Sequence, residues 1–471
     1  MTEALAWRPV AVLSSLCLLL ATSTPCAAAT AAPAVFGIPI DFVLFGATLA
    51  GVAILHHHTL RVALVGLGVI VGYKLIFTGF KAGPGASGLI DHLHHEWVTL
   101  VNLLLLLVGF ALLSRHFEKS RIPIMLPRFL PTGWKGAFAL LAMIFVLSSF
   151  LDNIAAALIG GAMAHQLFRA KVHIGYLAAI VAASNGGGAG SVIGDTTTTM
   201  MWIQGVSPLS VLEAYIGAAS ALVIFGIPAA IQQHRYSPML SDTRRDVHID
   251  WRRVGIVGLI LVAALSVNLG INIYFEQSAG DFPFIGVAVW CAIIVSVPLC
   301  RPDWELVPDA VKGSVFLLSL VTAASLMPVE SLPDASWGVA LVLGFVSAVF
   351  DNIPLTALAL NQGGYDWGYL AYAVGFGGSM IWFGSSAGVA LSNLYPEAKS
   401  ALAWLRAGWH VPVAYVIGFA LMLAIHPWRA DPPHRRPAIE RTTSFEREGS
   451  LFRHPARHLP QSRQFIARVR S

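Results

Sequence analysis

Charged residues are scarce in this 471-residue chain: 12% are Asp, Glu, Lys or Arg, whereas 56% are hydrophobic and the mean hydropathy is +0.70. A soluble globular protein contains about 25% charged residues, so this chain has about half the charge that a water-facing surface needs. The composition excludes a soluble enzyme and a disordered chain. It indicates a protein that faces lipid.

Cysteine is scarce too. The four cysteines lie in apolar segments without metal-type spacing, which excludes a disulfide framework and a zinc-finger site. They are Cys17, Cys26, Cys291 and Cys300. The formal net charge of +5 comes from residues 429–471, which contain ten Arg and four acidic residues. The rest of the chain is close to neutral, so no basic face for nucleic acid is present.

Long apolar runs dominate the sequence, and about 17 to 25 such residues cross ~30 Å of hydrocarbon as a helix. We predict ten spans, at about 36–55, 60–81, 95–114, 173–204, 209–232, 254–273, 283–300, 311–328, 367–393 and 409–427. Two further runs, 134–168 and 336–361, have an Asp-Asn pair in the middle, and we interpret both as re-entrant helical hairpins. As one straight helix the first would be ~50 Å long, too long for a single crossing. The predicted fold class is an all-α polytopic membrane protein.

The domain organisation follows from the same runs and from the loop charges. Residues 1–35 have the pattern of a secretory leader, or of an uncleaved first helix. Membrane repeat 1 is expected at 36–232, a basic linker at 233–253, membrane repeat 2 at 254–427 and a disordered Arg-rich tail at 428–471. Lys and Arg concentrate in the loops of one side, which the positive-inside rule makes cytoplasmic.

A polar motif occurs twice. Ser148-x3-Asp152-Asn153 recurs 199 residues later as Ser347-x3-Asp351-Asn352. A glycine-broken span follows each copy, and we expect the glycines to unwind it: Gly186, Gly187, Gly188 and Gly194 in the first half, Gly377, Gly378 and Gly384 in the second. Five spans per half force the second half to lie upside down. Inverted repeats with interrupted helices are typical of secondary transporters with a substrate site near the bilayer midplane.

The polar residues of these motifs form the candidate cation and proton site. They are Ser148, Asp152, Asn153, Asn185, Asp195, Thr196, Thr197, Ser347, Asp351, Asn352, Ser385 and Ser386. Oxygen ligands suit a hard cation. Because a buried carboxylate is costly to ionise, a cation and a proton compete for the same oxygens, and this competition is antiport. Asp152 and Asp195 place the main site in the first half, because Ser385 stands where the first half has Asp195.

Each feature also has a purely structural interpretation. An Asp-Asn pair can cap a helix, and glycines can serve close helix packing. We expect at least two of Thr196–Thr199 only to bond back to their own helix. Outside the motifs, Asp41 is expected at the membrane interface, and Lys74 either pairs with a carboxylate or snorkels. His92, His94, His95 and Glu96 are expected in an external loop that enters a helix, with a solvated or pH-responsive role beside the membrane.

The quoted motifs also resemble a known family. Leu147-Ser-Ser-Phe-Leu-Asp-Asn-Ile154, Gly194-Asp-Thr-Thr-Thr-Thr-Met-Met-Trp202, Asp351-Asn-Ile-Pro-Leu355 and Gly377-Gly-Ser-Met-Ile-Trp-Phe-Gly-Ser-Ser-Ala-Gly388 resemble NhaD-type sodium/proton antiporters over residues 36–427. That family belongs to the ion transporter superfamily, which also contains citrate, dicarboxylate and arsenite carriers. The resemblance implies a scaffold and a transport domain, a homodimer and an elevator-like movement. It implicates Asp152, Asn153, Asn185, Asp195, Thr196 and Thr197, with Ser347, Asn352, Ser385 and Ser386 from the second half.

The resulting prediction is a transporter, not an enzyme, that exchanges Na+ or Li+ for H+ in a bacterial cytoplasmic (inner) membrane. Its partners are the bilayer and a small inorganic cation, with no resident cofactor or metal and no nucleic acid. The alternative is a sodium-coupled citrate or dicarboxylate carrier, whose anionic substrate Asp152 and Asp351 would repel. An intramembrane aspartyl protease is disfavoured, because Val192 stands where its Gly-x-Gly-Asp string needs the first glycine.

Overall fold

The computed structural model describes residues 33–35, 37–55, 58–125, 130–239, 248–274 and 281–430. Most of the predicted leader, the centre of the basic linker and nearly all of the Arg-rich tail lie outside these residues.

The described chain is mostly helical, apart from a hairpin of two-residue strands, β1 (Ala34–Val35) and β2 (Ile38–Pro39). The helices are α1 (Ile40–Ile54), α2 (Thr59–Tyr73), α3 (Gly85–Lys119), α4 (Ile122–Met125), α5 (Trp134–Ser148), α6 (Asn153–Leu167), α7 (Ile174–Ala189), α8 (Thr196–Ile203), α9 (Pro208–Leu212), α10 (Ala214–Tyr236), α11 (Trp251–Tyr274), α12 (Phe284–Ser296), α13 (Val307–Ser325), α14 (Trp337–Ser347), α15 (Asn352–Gln362), α16 (Trp367–Gly377), α17 (Ser386–Leu394), α18 (Ala401–Ala407) and α19 (His410–Ile425). A π-helical turn, Lys74–Thr78, extends α2, and single 3-10 turns cover Trp304–Leu306, Val329–Ser331 and Pro396–Ala398.

Several helices are long and apolar enough to cross a membrane. Within the described residues there are five, or six if the bent pair α18 and α19 forms one span. They are Thr59–Thr78, Gly85–Lys119, Pro208–Tyr236, Trp251–Asn268 and Trp304–Ser325. Large apolar side chains such as Val262, Ile294 and Val342 are more than half exposed on helix surfaces, as expected where lipid replaces water. The chain is a helical multi-pass membrane protein, while the count of ten spans stays a prediction.

Both Asp-Asn runs are interrupted at the polar pair. The first divides into α5 and α6, and the second into α14 and α15, so that Asp152 and Asp351 each stand at the start of a new helix. The two glycine-rich spans are interrupted as well: α7 ends at Ala189 and α8 begins at Thr196, whereas α16 ends at Gly377 and α17 begins at Ser386. These four breaks are where the sequence places its polar motifs.

The glycines lie differently from the prediction. Gly186, Gly187 and Gly188 are helical residues of α7, and Gly377 is the last residue of α16, so they do not unwind their spans. Close packing explains two of them. A β-carbon at Gly187 would lie 2.0 Å from the carbonyl oxygen of Phe145, and one at Gly377 would lie 2.3 Å from that of Gly344. The unwound segments are residues 190–195 and 378–385, which contain Gly194, Gly378 and Gly384.

Helices α7 and α16 form the centre of the molecule. Every residue of α16 is buried, as is every residue of α7 after Ile174. Their small residues allow neighbouring backbones to approach closely, which is how helices pack tightly when lipid provides no hydrophobic drive. The two breaks that follow these helices are therefore held deep inside the protein.

Candidate functional site

Four helix N-termini carry the polar motifs, and each is capped by its own motif residue. The Asp152 carboxylate accepts the backbone N–H of Ile154 at 3.1 Å, and Asp351 accepts that of Ile353 at 3.0 Å. Asp195 caps α8 through the N–H of Thr197 at 3.2 Å. Ser385 caps α17 in the same way, at 3.2 Å to the N–H of Gly388. The capping interpretation is correct for Asp152 and Asp351, and the structure shows that Asp195 and Ser385 are caps too. A capping role does not exclude ion binding.

The caps form two pairs with matching backbone conformation. Asp152 and Asp351 have φ of −53° and ψ of 139° and 140°. Asp195 and Ser385 have φ of −143° and −142°, with ψ of 142° and 152°. The residues that correspond in the sequence repeat thus have the same local geometry in both halves.

Asn185 links the first Asp-Asn tip, which is the Asp152-Asn153 pair between α5 and α6, to the glycine-rich break between α16 and α17. Its amide oxygen accepts a hydrogen bond from Asn153 at 3.2 Å, and its amide nitrogen donates to the hydroxyls of Ser379 and Ser385, each at 3.0 Å. Asn185 and Ser379 are completely buried. Because an unsatisfied buried amide is costly, these three bonds hold the groups in one arrangement. The second half has Gly375 at the position that matches Asn185.

The second Asp-Asn tip, which is the Asp351-Asn352 pair between α14 and α15, binds residues at both glycine-rich breaks. Ser386 donates its hydroxyl hydrogen to Asp351 at 3.0 Å, and Asn352 donates to the Asp195 carboxylate at 3.4 Å. Asp152 and Asp351 both lie close enough to Asp195 for their charges to act on it. Hydrogen bonds therefore connect the start of α6, through Asn185 in α7, with the starts of α17, α15 and α8.

Threonines and serines around this network have separate roles. Thr198 and Thr199 each donate to the backbone oxygen of Asp195 at 2.9 Å, so two of the four threonines do bond back to the start of their own helix. They also bond to the carbonyls of Ser191 and Val192 in the unwound segment, so the expectation that they bond only to their own helix is wrong. The Thr197 hydroxyl is buried beside the Asp195 carboxylate but satisfies hydrogen-bond geometry with no described residue. Thr196, the first residue of α8, is buried as well. Thr197 is thus an oxygen donor at the site that remains available to a ligand.

Ser148 and Ser347 occupy equivalent structural positions. Ser148 donates to the backbone oxygen of Ser184 in α7 at 2.5 Å, and Ser347 donates to that of Val374 in α16 at 2.7 Å. Both hydroxyls are fully buried. Ser148 thus joins α5 to α7, and Ser347 joins α14 to α16. In this conformation these two predicted site residues serve helix packing.

A large cleft approaches the site from the side of the basic loops. It has a volume of about 1630 Å³, and its wall follows one face of α6 from Gln166 to Ile154, two residues after Asp152. At 1.5 Å per residue this wall is ~18 Å long. Arg115, Lys119 and Arg252 lie at its mouth. Asp152 and Asp351 are half-buried, whereas Asp195 is only 2% exposed.

Sequence reasoning missed two polar residues at or near the network, Ser379 and Tyr215. Ser379 binds Asn185 and directly follows the Gly377-Gly378 pair, so its place in the motif was a usable signal. Tyr215 donates to the Ser149 hydroxyl at 2.7 Å and to the Gly187 carbonyl at 3.0 Å. Nothing in the local sequence around Tyr215 indicates this contact.

One expectation outside the motifs is wrong, and one open alternative is decided. Asp41, in the first turn of α1, is 1% exposed and accepts a hydrogen bond from Lys74 at 3.3 Å, so Lys74 pairs with a carboxylate. The interfacial position of Asp41 stays a prediction. His92 to Glu96 lie within α3 and not in a loop, because α3 already begins at Gly85. His92 is buried and hydrogen-bonds Ser325 at 3.0 Å, while His94 and His95 are exposed.

The basic loops carry a separate ion-pair network. Asp303 lies 2.5 Å from Lys119 and 2.9 Å from Arg115. The hydrogen bond from Lys119, assisted by that from Arg115, lowers the pKa of Asp303 below its usual range. This network joins the end of α3 to the loop before α13.

Two proteins of Arabidopsis thaliana are similar to this chain. Sodium/proton antiporter 1 is 24% identical over 438 residues, covering 82% of this chain and 72% of that protein. Sodium/proton antiporter 2 is 27% identical over 338 residues, covering 63% and 76% respectively. Both names describe transporters and neither describes an enzyme. No protein-family model matches the chain.

Proposed function

We propose that the protein exchanges Na+, or Li+, for H+ across its membrane, with the aspartates at three of the four helix breaks, Asp152, Asp195 and Asp351, as the shared binding site. The names of the two similar proteins support this assignment at modest identity. The observation that carries it is the charge balance where the four N-termini meet.

That balance favours a monovalent cation. Each helix N-terminus contributes about half a positive charge, so four contribute about +2. Asp152, Asp195 and Asp351 contribute three negative charges when they are ionised, which leaves about −1. One Na+ or one H+ neutralises this remainder, but not both at once. A site that takes either one is the basis of one-for-one exchange.

The ligand atoms have the same preference. Carboxylate, hydroxyl and amide oxygens line the network, and such ligands bind hard cations. The Thr197 hydroxyl is buried beside the Asp195 carboxylate, and the lone pairs of its oxygen can coordinate an ion held there. Asp195 is the best placed of the three carboxylates, because the second tip reaches it through Asn352.

The cleft along α6 supplies the path to the cytoplasm. It begins among the basic loops, which the positive-inside rule places on that side, and it reaches the turn that follows Asp152. In this proposal the conformation is the inward-facing one, with the cleft ending two residues from Asp152. The two matching pairs of caps support inverted repeats, and an exchange of the roles of the halves would open the site outward. Re-entrant hairpins, a homodimer and an elevator-like movement belong to the same proposal, as does a bacterial inner membrane.

The competing function is sodium-coupled transport of a citrate-like anion. Convergent helix N-termini attract anionic groups, and this is the specific feature in its favour. The three carboxylates outweigh this attraction, because binding a further anion would make the net charge of the site about −2 or more negative.

Proton flux in everted membrane vesicles tests the proposal. Vesicles that contain the protein are given a pH gradient, and Na+, Li+, K+ or citrate is then added. We expect Na+ or Li+ to collapse the gradient, and vesicles without the protein to show no such collapse. Proton movement with citrate but with none of the alkali cations would overturn the assignment in favour of the anion carrier.

A further inference from the structure

Three metal-ligating side chains meet at the end of the molecule opposite the basic loops. Glu213 directly precedes α10, Asp366 caps α16 and His426 follows α19. One carboxylate oxygen from each acid and one imidazole nitrogen all lie within 4.8 Å of one another. Helix α10 is 23 residues or ~35 Å long, and Gln233 near its other end contacts His173, so this cluster is far from the basic loops.

Backbone contacts hold the Asp366 side chain and bring the chain at His426 and Glu213 close to it. Asp366 accepts the N–H of Tyr369 at 3.3 Å and that of Arg429 at 2.9 Å, and each of its oxygens keeps a second lone pair. The Tyr369 hydroxyl donates to the carbonyl of His426. Gly368 lets α16 approach, because a β-carbon there would lie 2.9 Å from that of Glu213. The backbones that carry the three ligands are therefore held together, and the side chains of His426 and Glu213 are only 21% and 33% exposed.

The distances and donor types fit a zinc-like ion. Ligands about 2.0–2.1 Å from a tetrahedral Zn2+ lie roughly 3.4 Å apart. The imidazole Nε2 of His426 is 3.4 Å from a Glu213 oxygen. One nitrogen and two carboxylate donors suit Zn2+ better than Mg2+ or Ca2+, which bind oxygen almost exclusively. The cluster also places two carboxylates side by side, and a divalent cation relieves their repulsion.

We infer that Glu213, Asp366 and His426 bind a divalent transition-metal ion of the zinc type, with water completing its coordination. The ion ties the starts of α10 and α16 to the end of α19. This site is separate from the proposed cation site, because the 11 residues of α16 place ~16 Å between Asp366 and the break at Gly378.

Zinc content of the purified full-length protein tests the inference. The protein is prepared with an affinity tag that lacks histidine and is dialysed against micromolar Zn2+ with millimolar Mg2+ present. We expect about one Zn2+ per chain, and at least about tenfold weaker binding in His426→Gln and in Glu213→Gln. Co2+ substituted at the site should give the visible absorption of a low-coordinate complex that includes nitrogen.

A matched variant separates this site from adventitious binding. His94 and His95 form another imidazole pair, on the exposed face of α3, with ring centroids 6.3 Å apart. His94→Gln should leave the single tight Zn2+ unchanged. Zinc bound equally well by His426→Gln, or lost only in His94→Gln, overturns the inference, and so does wild-type protein that binds none. Asp366→Asn, which retains a capping oxygen, provides a second test if Glu213→Gln does not fold.

Discussion

Replacing Asp195 with Asn removes one charge from the proposed site while it preserves the local fold. Asn is isosteric with Asp and is an equally good N-cap, so its side-chain oxygen can still accept the N–H of Thr197. The neighbouring contact with Asn352 also retains a partner. The variant therefore changes the electrostatics at a position that is 2% exposed and leaves the packing almost unchanged.

The size of the effect follows from Coulomb's law. A Na+ ion about 4 Å from the carboxylate, with an effective dielectric constant of about 20, loses about 4 kcal/mol when the charge is removed. That corresponds to roughly a thousandfold weaker Na+ affinity. The net charge of the four N-termini and the remaining two aspartates becomes about zero, so nothing in the balance favours a cation. Na+-driven proton release should fall below detection at millimolar Na+.

Proteoliposomes with a trapped pH dye measure the loss of Na+ affinity as an increase in the Na+ concentration that gives half-maximal proton flux. The control is Asp334→Asn, the same chemical change at an exposed carboxylate that does not line the cleft. It should behave as wild type. An Asp195→Asn protein that inserts normally and has a half-maximal Na+ concentration within threefold of wild type would show that this carboxylate does not bind the ion.

Three further substitutions test the packing and the ion pairs. Gly187→Ala should destabilise the protein by about 1–3 kcal/mol or more in a thermal unfolding assay, because the new β-carbon would lie 2.0 Å from a carbonyl oxygen. The control is Gly313→Ala, where the new β-carbon has open space and the effect should be neutral or slightly stabilising. Lys74→Met leaves Asp41 buried without its partner and should lower the free energy of unfolding by about 3–5 kcal/mol. Adding Asp41→Asn in the same chain should restore most of the melting temperature. Asp303→Asn should lower the melting temperature slightly at pH 7, by under about 1 kcal/mol in stability. Folding lowers the pKa of Asp303, so its contribution to stability is present above the unfolded value near 3.9 and is lost as pH falls through the folded value. The stability difference between the two proteins should therefore shrink as pH falls below about 3.9, and a constant difference would contradict the assignment.

Local features of the site were predictable because near neighbours determine them. Asp152, Asp195 and Asp351 each precede a helical segment, and an aspartate at such a position caps the helix whatever the rest of the chain does. The duplicated Ser-x3-Asp-Asn motif predicts two similar tips, and their backbone angles agree within a few degrees. The back-bonding of Thr198 and Thr199 is local in the same sense.

The glycines show where this kind of prediction fails. Gly186 to Gly188 have low helix propensity, which favours unwinding, yet α7 continues through them. The reason is tertiary: the carbonyl of Phe145 packs against Gly187, so the position requires a missing side chain and not a special backbone angle. A propensity scale contains no information about a neighbouring helix.

What the sequence determined by itself is membrane character, helical class and the positions of the four breaks, because hydropathy and capping depend on residues close together in the chain. What only the tertiary structure decided is which distant groups meet. Asn352 reaches Asp195, Asn185 reaches Ser385, and Lys74 reaches Asp41 across separations of 157, 200 and 33 residues. Such contacts depend on how buried helices pack against one another, and packing is a property of the whole set of helices and not of any one segment.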